Sequence, residues 1–467
     1  MHHPNTYRSK KVVVLGLARS GQAVARVFQK YGAKLVVNDL KPRDQSPEAD
    51  VLEALGISVV CGHHPDDLID ENTALVVKNP GIPYSSPPVQ RALELGVEVV
   101  TEVEVAQHVT SAPIIGITGS NGKTTTTTWT YEMLKAGGKR PIIAGNIGIP
   151  LCEAAEEAES DHWLVTELSS FQLKGTGDFH PKIACLLNIY ATHLDYHGSI
   201  DDYISSKYKL FANQTAEDIA VLHADDEACV QLSKQIKSGI VWFSVRHEVD
   251  HGVWLKSDGG KELVIWRDGE GVDHALIESG EMTLRGRHNL ENAAAAAAIA
   301  LCAGTPMDAV KEVLKTFQGV EHRLEYVTQK NGISFYNDSK STNPTSTMKA
   351  LDAFERKVIL IAGGLDRGMD YKELTEWFKG KVKGIVTLGE TRVKLNKVAQ
   401  EAGITHIQTV ETGKENVHQA LQEALDKALS MAQEGDTVLL SPACASWDMF
   451  STYEQRGRIF KETVHNL

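Results

Sequence analysis

Between Ile114 and Trp129 the chain reads IIGITGSNGKTTTTTW. An apolar run ends in a glycine-rich turn, the turn ends in Lys123 and Thr124, and a helix-compatible segment follows. This layout suits phosphate. Backbone N–H groups face the oxygens, the lysine adds charge, and the hydroxyl after it can ligate Mg²⁺ or Mn²⁺. Gly119, Ser120, Asn121, Gly122, Lys123, Thr124 and Thr125 are therefore expected to hold a nucleoside triphosphate. The strict motif wants a glycine where this chain has Ile117. A plain glycine turn is the alternative. Strand, glycines, Gly-Lys-Thr and helix in that order favour the phosphate reading.

Three later apolar runs also end in polar loops. Pro141–Ala144 leads to Asn146, Trp163–Thr166 to Glu167 and Gln172, and Ile183–Leu187 to His193 and Asp195. In a parallel sheet these loops share one edge with the phosphate loop. Carboxylate, amide and imidazole there suit a hard divalent cation. Taken singly, Glu167 reads as a helix N-terminal charge, and His193 and His197 as solvated loop histidines. Lys207, inside a helix expected over Asp201–Phe211, reads by residue type as an exposed helix lysine. Further on, Arg285–Asn292 precedes six alanines, Ala293–Ala298. There His288, Asn289 and Asn292 either cap a closely packing helix or meet a ligand.

The positioning elements begin upstream. Lys11–Leu15, Gly16-Leu-Ala-Arg-Ser-Gly21, an amphipathic helix to Tyr31, then Leu35–Val37 with Asn38-Asp39 form a Rossmann-like opening. A third glycine is missing, which argues against a nicotinamide cofactor. The loop either binds a diphosphate at the helix N-terminus, with Asp39 near a sugar or base, or is a structural glycine pair. Ala74–Val77 runs into Lys78-Asn-Pro-Gly-Ile-Pro83, and Val97–Val100 closes the unit. Short apolar runs from Ile219 to Ile277 read as further sheet, partly antiparallel hairpins.

From Val320 on, each strand-like run again ends in a polar motif. Ile333–Tyr336 leads to NDSKSTNP, Val358–Ala362 to GGLDRG, and Thr437–Leu440 to SPACASWD. Loops this rich in Asp, Ser, Lys and Arg are expected to bind a charged ligand. The fold class expected is α/β in three domains. Residues 1–102 form a Rossmann-like N-terminal domain, 103–319 a central P-loop ATPase domain with a mixed sheet, and 320–467 a C-terminal Rossmann-like α/β domain.

Bulk properties narrow the class. Across 467 residues the chain is 42% hydrophobic and 23% charged, with net charge −13, so there is no electrostatic footprint for nucleic acid. No apolar run reaches the ~20 residues of a membrane span. The N-terminus lacks the apolar core of a signal peptide. Six scattered cysteines without a CxxC read as mostly buried free thiols in a reducing compartment, so the cytoplasm is expected. A nucleotide domain with a cation site, flanked by two α/β domains, fits a ligase or a kinase. Activating a carboxylate would require in-line phosphoryl transfer, and the acyl phosphate would have to be kept from water by domain closure. No GxSxG nucleophile motif is present.

These motifs in combination resemble the Mur ligases of peptidoglycan synthesis. The residues concerned are TGSNGKTT (Thr118–Thr125), GNIG (Gly145–Gly148), ELSSFQL (Glu167–Leu173), GRHNLENAAAA (Gly286–Ala296), EHRLE (Glu321–Glu325), NDSKSTNP (Asn337–Pro344) and SPACASWD (Ser441–Asp448). The likeness covers all three domains. ELSSFQL, SPACAS and the VLGLARSG opening resemble the D-glutamate-adding branch. The DNPR-type motif of the diamino-acid-adding branch and the GxGGxG-like opening of the L-alanine-adding branch are absent.

The resemblance implies ATP-dependent addition of D-glutamate to UDP-N-acetylmuramoyl-L-alanine, through an acyl phosphate and a tetrahedral intermediate. It implies that Lys123 and its neighbours hold the ATP phosphates. Thr124, Glu167 and His193 would serve Mg²⁺, with Lys207 as a carbamate that helps place the metal. Asn289, Asn292, His322, Arg323 and Asp338 would contact adenosine and phosphate. Lys340, Thr342, Arg367, Ser446 and Trp447 would contact D-glutamate. Leu17, Ala18, Arg19, Asp39, Asn79 and Gly81 would bind the UDP part, with Asn146 and Gln172 nearer the muramoyl-alanine end. A monomer is expected.

Two other readings remain. A folylpolyglutamate-type or another Mur-type ligase shares the ATP core, but the former should lack the roughly 100-residue unit before the phosphate loop. A nucleotide-binding switch without ligation would not need Glu167, His193, Lys207 and the charged loops after residue 320.

Overall fold

A computed structural model describes residues 1–190, 194–284, 286–354 and 356–467, with backbone alone for Leu194 and Asp195. The chain forms two compact units, Met1–Phe317 and Gln318–Leu467.

The first unit holds two sheets. The N-terminal one contains β1 (Lys11–Leu15), β2 (Lys34–Asp39), β3 (Ser58–Cys61), β4 (Thr73–Lys78) and β5 (Val99–Val100). Their order is β3-β2-β1-β4-β5, all parallel. Alternate residues of β1 feed opposite cores: Val12 and Val14 pack on one face, Val13 and Leu15 on the other. Burial on both faces is why β1 and β4 read as unbroken apolar runs.

The second sheet contains β6 (Ile114–Thr118), β7 (Arg140–Gly145), β8 (His162–Glu167), β9 (Ile183–Leu186), β10 (Ile219–His223), β11 (Gly239–Ser244), β12 (Gly252–Asp258), β13 (Lys261–Arg267) and β14 (Asp273–Glu278). Its order is β14-β13-β12-β11-β10-β9-β6-β8-β7. β7 to β12 run parallel through β6, and β12–β13–β14 are antiparallel hairpins. The sheet is therefore mixed, as the sequence predicts. Its parallel part puts the loops after β6, β7 and β8 on one edge.

Helix Lys123–Ala136 follows β6, and helix Arg287–Cys302 packs against it. All six alanines Ala293–Ala298 are buried, and side chains this small allow close approach. Thr126, Thr127 and Thr130 are buried too, so packing outweighs their poor helix propensity. Trp129 stacks on Phe317 at 4.6 Å.

The second unit is one six-stranded sheet: β15 (Glu325–Lys330), β16 (Ile333–Asn337), β17 (Val358–Gly363), β18 (Val382–Leu388), β19 (His406–Thr409) and β20 (Thr437–Leu440). Its order is β15-β16-β20-β17-β18-β19, parallel except for the β15–β16 hairpin. In β17, Ile359 and Ile361 face one core, and Val358, Leu360 and Ala362 the other. Helices Val417–Met431 and Tyr453–His465 cover the first face. Helices Pro344–Asp352 and Arg392–Glu401 cover the second.

Two local expectations are corrected. The strand expected over Val97–Val100 shrinks to Val99–Val100, after a turn at Gly96 with φ +68. The helix expected over Asp201–Phe211 runs from Ile200 to Tyr208 and tightens into a 3-10 turn at Lys209–Phe211. Among the described residues, no helix is long and apolar enough to cross a membrane.

Candidate nucleotide and ligation site

The phosphate loop joins β6 to helix Lys123–Ala136 through Gly122, whose φ of +82 is a left-handed conformation favouring glycine. A Cβ there would also run into the Asn292 side chain. The front of the loop is braced from behind. The N–H groups of Ser120 and Asn121 donate to the Asn188 backbone and side-chain oxygens, at 3.0 and 2.8 Å. The Ser120 hydroxyl shares a 2.8 Å hydrogen bond with the Tyr203 hydroxyl. The donors left to meet an anion would be those of the later half, the opening turn of the helix, where N–H groups and helix dipole favour negative charge. Lys123 Nζ reaches Gly119 O at 2.8 Å and Ser120 O at 3.0 Å.

Behind that turn, the Thr124 hydroxyl donates to Glu167 Oε2 at 2.7 Å, and Asn146 Nδ2 donates to Glu167 Oε1 at 2.7 Å. Glu167 is 2% exposed. It is thus neither a solvated charge nor a helix cap, but the joint between the loops after β6, β7 and β8. A hydroxyl and a carboxylate at hydrogen-bond distance are hard oxygen donors of the kind Mg²⁺ or Mn²⁺ takes, so the pair fits such an ion. His193 lies outside the described residues. Among the described residues, two groups of His and acidic side chains are close enough to share an ion: Glu104 with His108 and Asp178, and Glu159 with Asp161 and His162. Neither includes Glu167.

Lys207 corrects the expectation drawn from its residue type. It is 1% exposed, donates to Thr118 Oγ1 at 3.2 Å and Gly119 O at 2.9 Å, and lies over the Tyr203 ring. Its helix is pressed against the phosphate loop, which buries the side chain. His197 is corrected in the same way. It is buried, with Nδ1 against Asp202 at 2.6 Å and Nε2 against Ser170 at 2.9 Å. Asn292 is no helix cap either; it lies inside helix Arg287–Cys302 and accepts from Thr126 Oγ1 at 3.3 Å. Asn289 sits one turn earlier on that helix.

A cavity of about 650 Å³ brings the substrate candidates together. Ala18, Arg19, Asn79 and Gly81 enter from the N-terminal sheet; Lys123, Asn146, Gln172 and Lys207 enter from the second. Leu17 and Asp39 stand behind it, where the Leu17 N–H donates to Asp39 Oδ2 at 2.7 Å. Asp39 thus holds the loop that carries Ala18 and Arg19. Gln172 spends its side-chain oxygen on a capping box with Ser169.

The cavity also exposes two residues that sequence reasoning missed. Tyr203 lies one helical turn before Lys207 and so shares its face, a spacing that could have found it. Glu102 is 3% exposed and accepts from the Cys152 N–H at 2.9 Å; burial pushes its carboxyl up to about 7. Only folding reveals that burial.

In the second unit, His322 and Asp338 turn into the fold. The His322 imidazole bonds the Asn337 amide at 2.9 Å and packs on Gly457. Asp338 accepts from the Leu324 N–H at 3.2 Å and the Ser441 hydroxyl at 2.7 Å, and burial raises its carboxyl to about 6. Arg323 between them is exposed. The Lys340 N–H donates to His322 O at 3.0 Å, and the Thr342 N–H to Lys340 O at 2.9 Å, which ties the NDSKST loop to the EHRLE turn. Ser446 is buried, whereas Trp447 is 65% exposed with the Arg367 guanidinium 5.1 Å from its ring centre. Arg456, which the sequence did not single out, is wholly buried. It bonds Ser339 and the Cys444 carbonyl, fastening the NDSKST and SPACASWD loops to one helix.

Known proteins match this arrangement along its length. Residues 10–101 match the Mur ligase MurD-like N-terminal domain, 117–300 the Mur ligase middle domain, and 322–444 the Mur ligase glutamate ligase domain. UDP-N-acetylmuramoylalanine--D-glutamate ligase from Geobacillus sp. (strain WCH70) is 49% identical over 462 residues, covering 99% of this chain and 98% of that protein. The protein of the same name from Bacillus cereus (strain G9842) is 49% identical over 461 residues, with the same coverage. Among solved structures, UDP-N-acetylmuramate-alanine ligase from Thermotoga maritima shares the fold, with a TM-score of 0.55, 21% identity, and 98% and 99% of the two chains covered. MurF ligase from Thermotoga maritima, solved in complex with ADP, does so with a TM-score of 0.53, 18% identity, and 100% and 97% covered. Three matched domains in order and near-half identity over the full length mean that this chain belongs to the Mur ligase family.

Proposed function

We propose that this chain is the ATP-dependent ligase that joins D-glutamate to UDP-N-acetylmuramoyl-L-alanine in peptidoglycan precursor synthesis. The observation that carries the reading is the 650 Å³ cavity, where Arg19, Asn79 and Gly81 face Lys123, Asn146 and Lys207. A diphosphate-linked carboxylic acid and a nucleoside triphosphate both need cationic side chains such as Arg19 and Lys123 in the space that receives them. The ligase names of the 49%-identical relatives supply the substrates.

The substrate's alanyl carboxylate attacks the γ-phosphorus of ATP, and ADP leaves. The D-glutamate amine then attacks the acyl carbon, and inorganic phosphate leaves with formation of the amide. In this scheme the helix opening at Lys123 and the Lys123 charge take up negative charge on the transferring group. Thr124 and Glu167 would hold Mg²⁺, which supplies charge neutralisation at the phosphates. Arg19 and the Asn79–Gly81 loop orient the UDP part, braced by Asp39. Arg323, Asn289 and Asn292 are assigned to ATP; Lys340, Thr342, Ser446 and Arg367 to the two carboxylates of D-glutamate, with Trp447 beside Arg367 at the same subsite. His322 and Asp338 serve ATP by shaping the loop that carries Arg323. Carbamylation of Lys207 is supported by its burial beside the cavity. The division of the first unit at residue 102 follows its two sheets. The enzyme is read as a cytoplasmic monomer.

Phosphate release from ATP with UDP-N-acetylmuramoyl-L-alanine, compared for D-Glu, L-Glu, L-Ala and L-Lys, tests the function. Release with D-Glu is expected, and release with L-Lys but not D-Glu would overturn it. Lys207→Ala should be inactive and partly rescued by short carboxylic acids; full activity without rescue would remove the carbamate.

A further inference from the structure

Lys78 closes β4 and is 1% exposed. Its Nζ lies 2.9 Å from Ile82 O, 3.3 Å from Pro80 O, 3.5 Å from Asn79 O and 3.1 Å from the Tyr196 hydroxyl. The rings of Tyr84 and Tyr196 wall it in at 4.8 and 5.8 Å. Among the described residues, no carboxylate pairs with it. Lys174 and Asp202, an ion pair at 2.7 Å, stand outside the cage with Lys174 against the same two rings. Burial, with Lys174 nearby, pulls the Lys78 amine down to about 7.

A buried amine is costly unless its donors are used. Here they converge on carbonyls of one short loop, Asn79–Ile82. That loop needs them, because Pro80 and Pro83 have no N–H and can contribute little to its own hydrogen bonding. The Tyr196 hydroxyl adds a second bond to Pro80 O at 3.1 Å. Asn79, Pro80 and Gly81 line the substrate cavity, while Lys78 and Tyr196 do not. Tyr196 in turn packs edge-on against Phe171, which does line it, at 4.4 Å.

We propose that Lys78, with Tyr196, is the positioning residue of the Asn79–Gly81 loop. It holds that loop in the shape that receives the UDP-linked substrate without touching the substrate. The proposal rests on the functional reading above.

The test is steady-state kinetics of Lys78→Met, which keeps the side-chain volume and removes the donors, and of Tyr196→Phe, which removes one hydroxyl. For Lys78→Met the KM for UDP-N-acetylmuramoyl-L-alanine should rise about tenfold. The KM for ATP and kcat should stay within about threefold of wild type. Tyr196→Phe should shift the same KM, by roughly threefold, and decides the matter if Lys78→Met does not fold. A uniform rise in all KM values, or an unchanged KM for the UDP substrate, would overturn the proposal while leaving the function intact. A wild type without D-glutamate-dependent phosphate release would overturn the functional reading itself, and this proposal with it.

Discussion

The Thr124 hydroxyl donates to the Glu167 carboxylate at 2.7 Å, linking the phosphate loop after β6 to the end of β8. Both groups are buried, and the second carboxylate oxygen is taken by Asn146. Glu167 thus ties the turn proposed to receive the phosphates to the loop that carries Asn146. Glu167→Gln keeps an acceptor for Thr124 and removes the charge. Its kcat should fall by at least about a hundredfold, with a melting temperature close to wild type. ADP release measured across a range of Mg²⁺ concentrations checks this. An unchanged kcat would take Glu167 out of the site.

Gly122 and Asn292 are coupled sterically. The left-handed φ at Gly122 and the Asn292 side chain beside it both oppose a Cβ. Gly122→Ala should therefore lower stability by roughly 1–3 kcal/mol and raise the KM for ATP. Asn292→Ala in the same chain removes the clash but not the backbone strain, so it should recover part of the loss. Thermal melts of the two single variants and the double variant give the coupling. Strict additivity would mean the contact is absent.

β1, β6 and β8 were legible because they are buried on both faces. β1 agrees with the sequence reading residue for residue, and β7 and β8 each extend one residue beyond it at both ends. β3 and β19 were not, because they are four-residue strands with no fully buried position in their pattern. Glu167 and Asn146 were legible as strand-end polar groups, although the sequence could not say that they bond each other. Lys207 and His197 misled because residue type predicts solvent for Lys and loop His; packing against the phosphate loop removes it from Lys207, and Ser170, Phe171, Asp202 and Tyr203 remove it from His197. Lys78 and Arg456 escaped notice because most of their partners are backbone carbonyls. A carbonyl belongs to every residue and leaves no mark in the sequence.

Glu102 gives the first unit a stability that depends on pH. Burial raises its carboxyl from 4.5 to about 7. A carboxyl raised in the folded state holds its proton where the unfolded chain has lost it. Its contribution is fully present below about pH 4.5 and is lost as pH rises through about 7. Glu102→Gln cannot ionise. The variant should match the wild type near pH 4.5 and exceed it near pH 8, by on the order of 2 kcal/mol. Melting of both proteins at intervals from pH 4.5 to 8 tests the sign. A constant difference across that range would show that Glu102 is ionised throughout.

Arg367 and Trp447 form the last relationship with a kinetic consequence. Arg367 is exposed, and its guanidinium lies 5.1 Å from the centre of the Trp447 ring, itself 65% exposed. An unsupported arginine at the surface samples many rotamers. The indole face narrows them, which presents the charge to one side of the GGLDRG loop. A cation–π contact this exposed is worth about 0.5–1 kcal/mol, equivalent to a two- to fivefold change. Trp447→Ala should raise the KM for D-glutamate by about that factor, Trp447→Phe by less, and both should leave the KM for ATP unchanged. Arg367→Ala removes the charge itself and should raise the same KM by more than about tenfold. If Trp447→Ala exceeds Arg367→Ala, the indole touches the amino acid directly and does not act through the arginine.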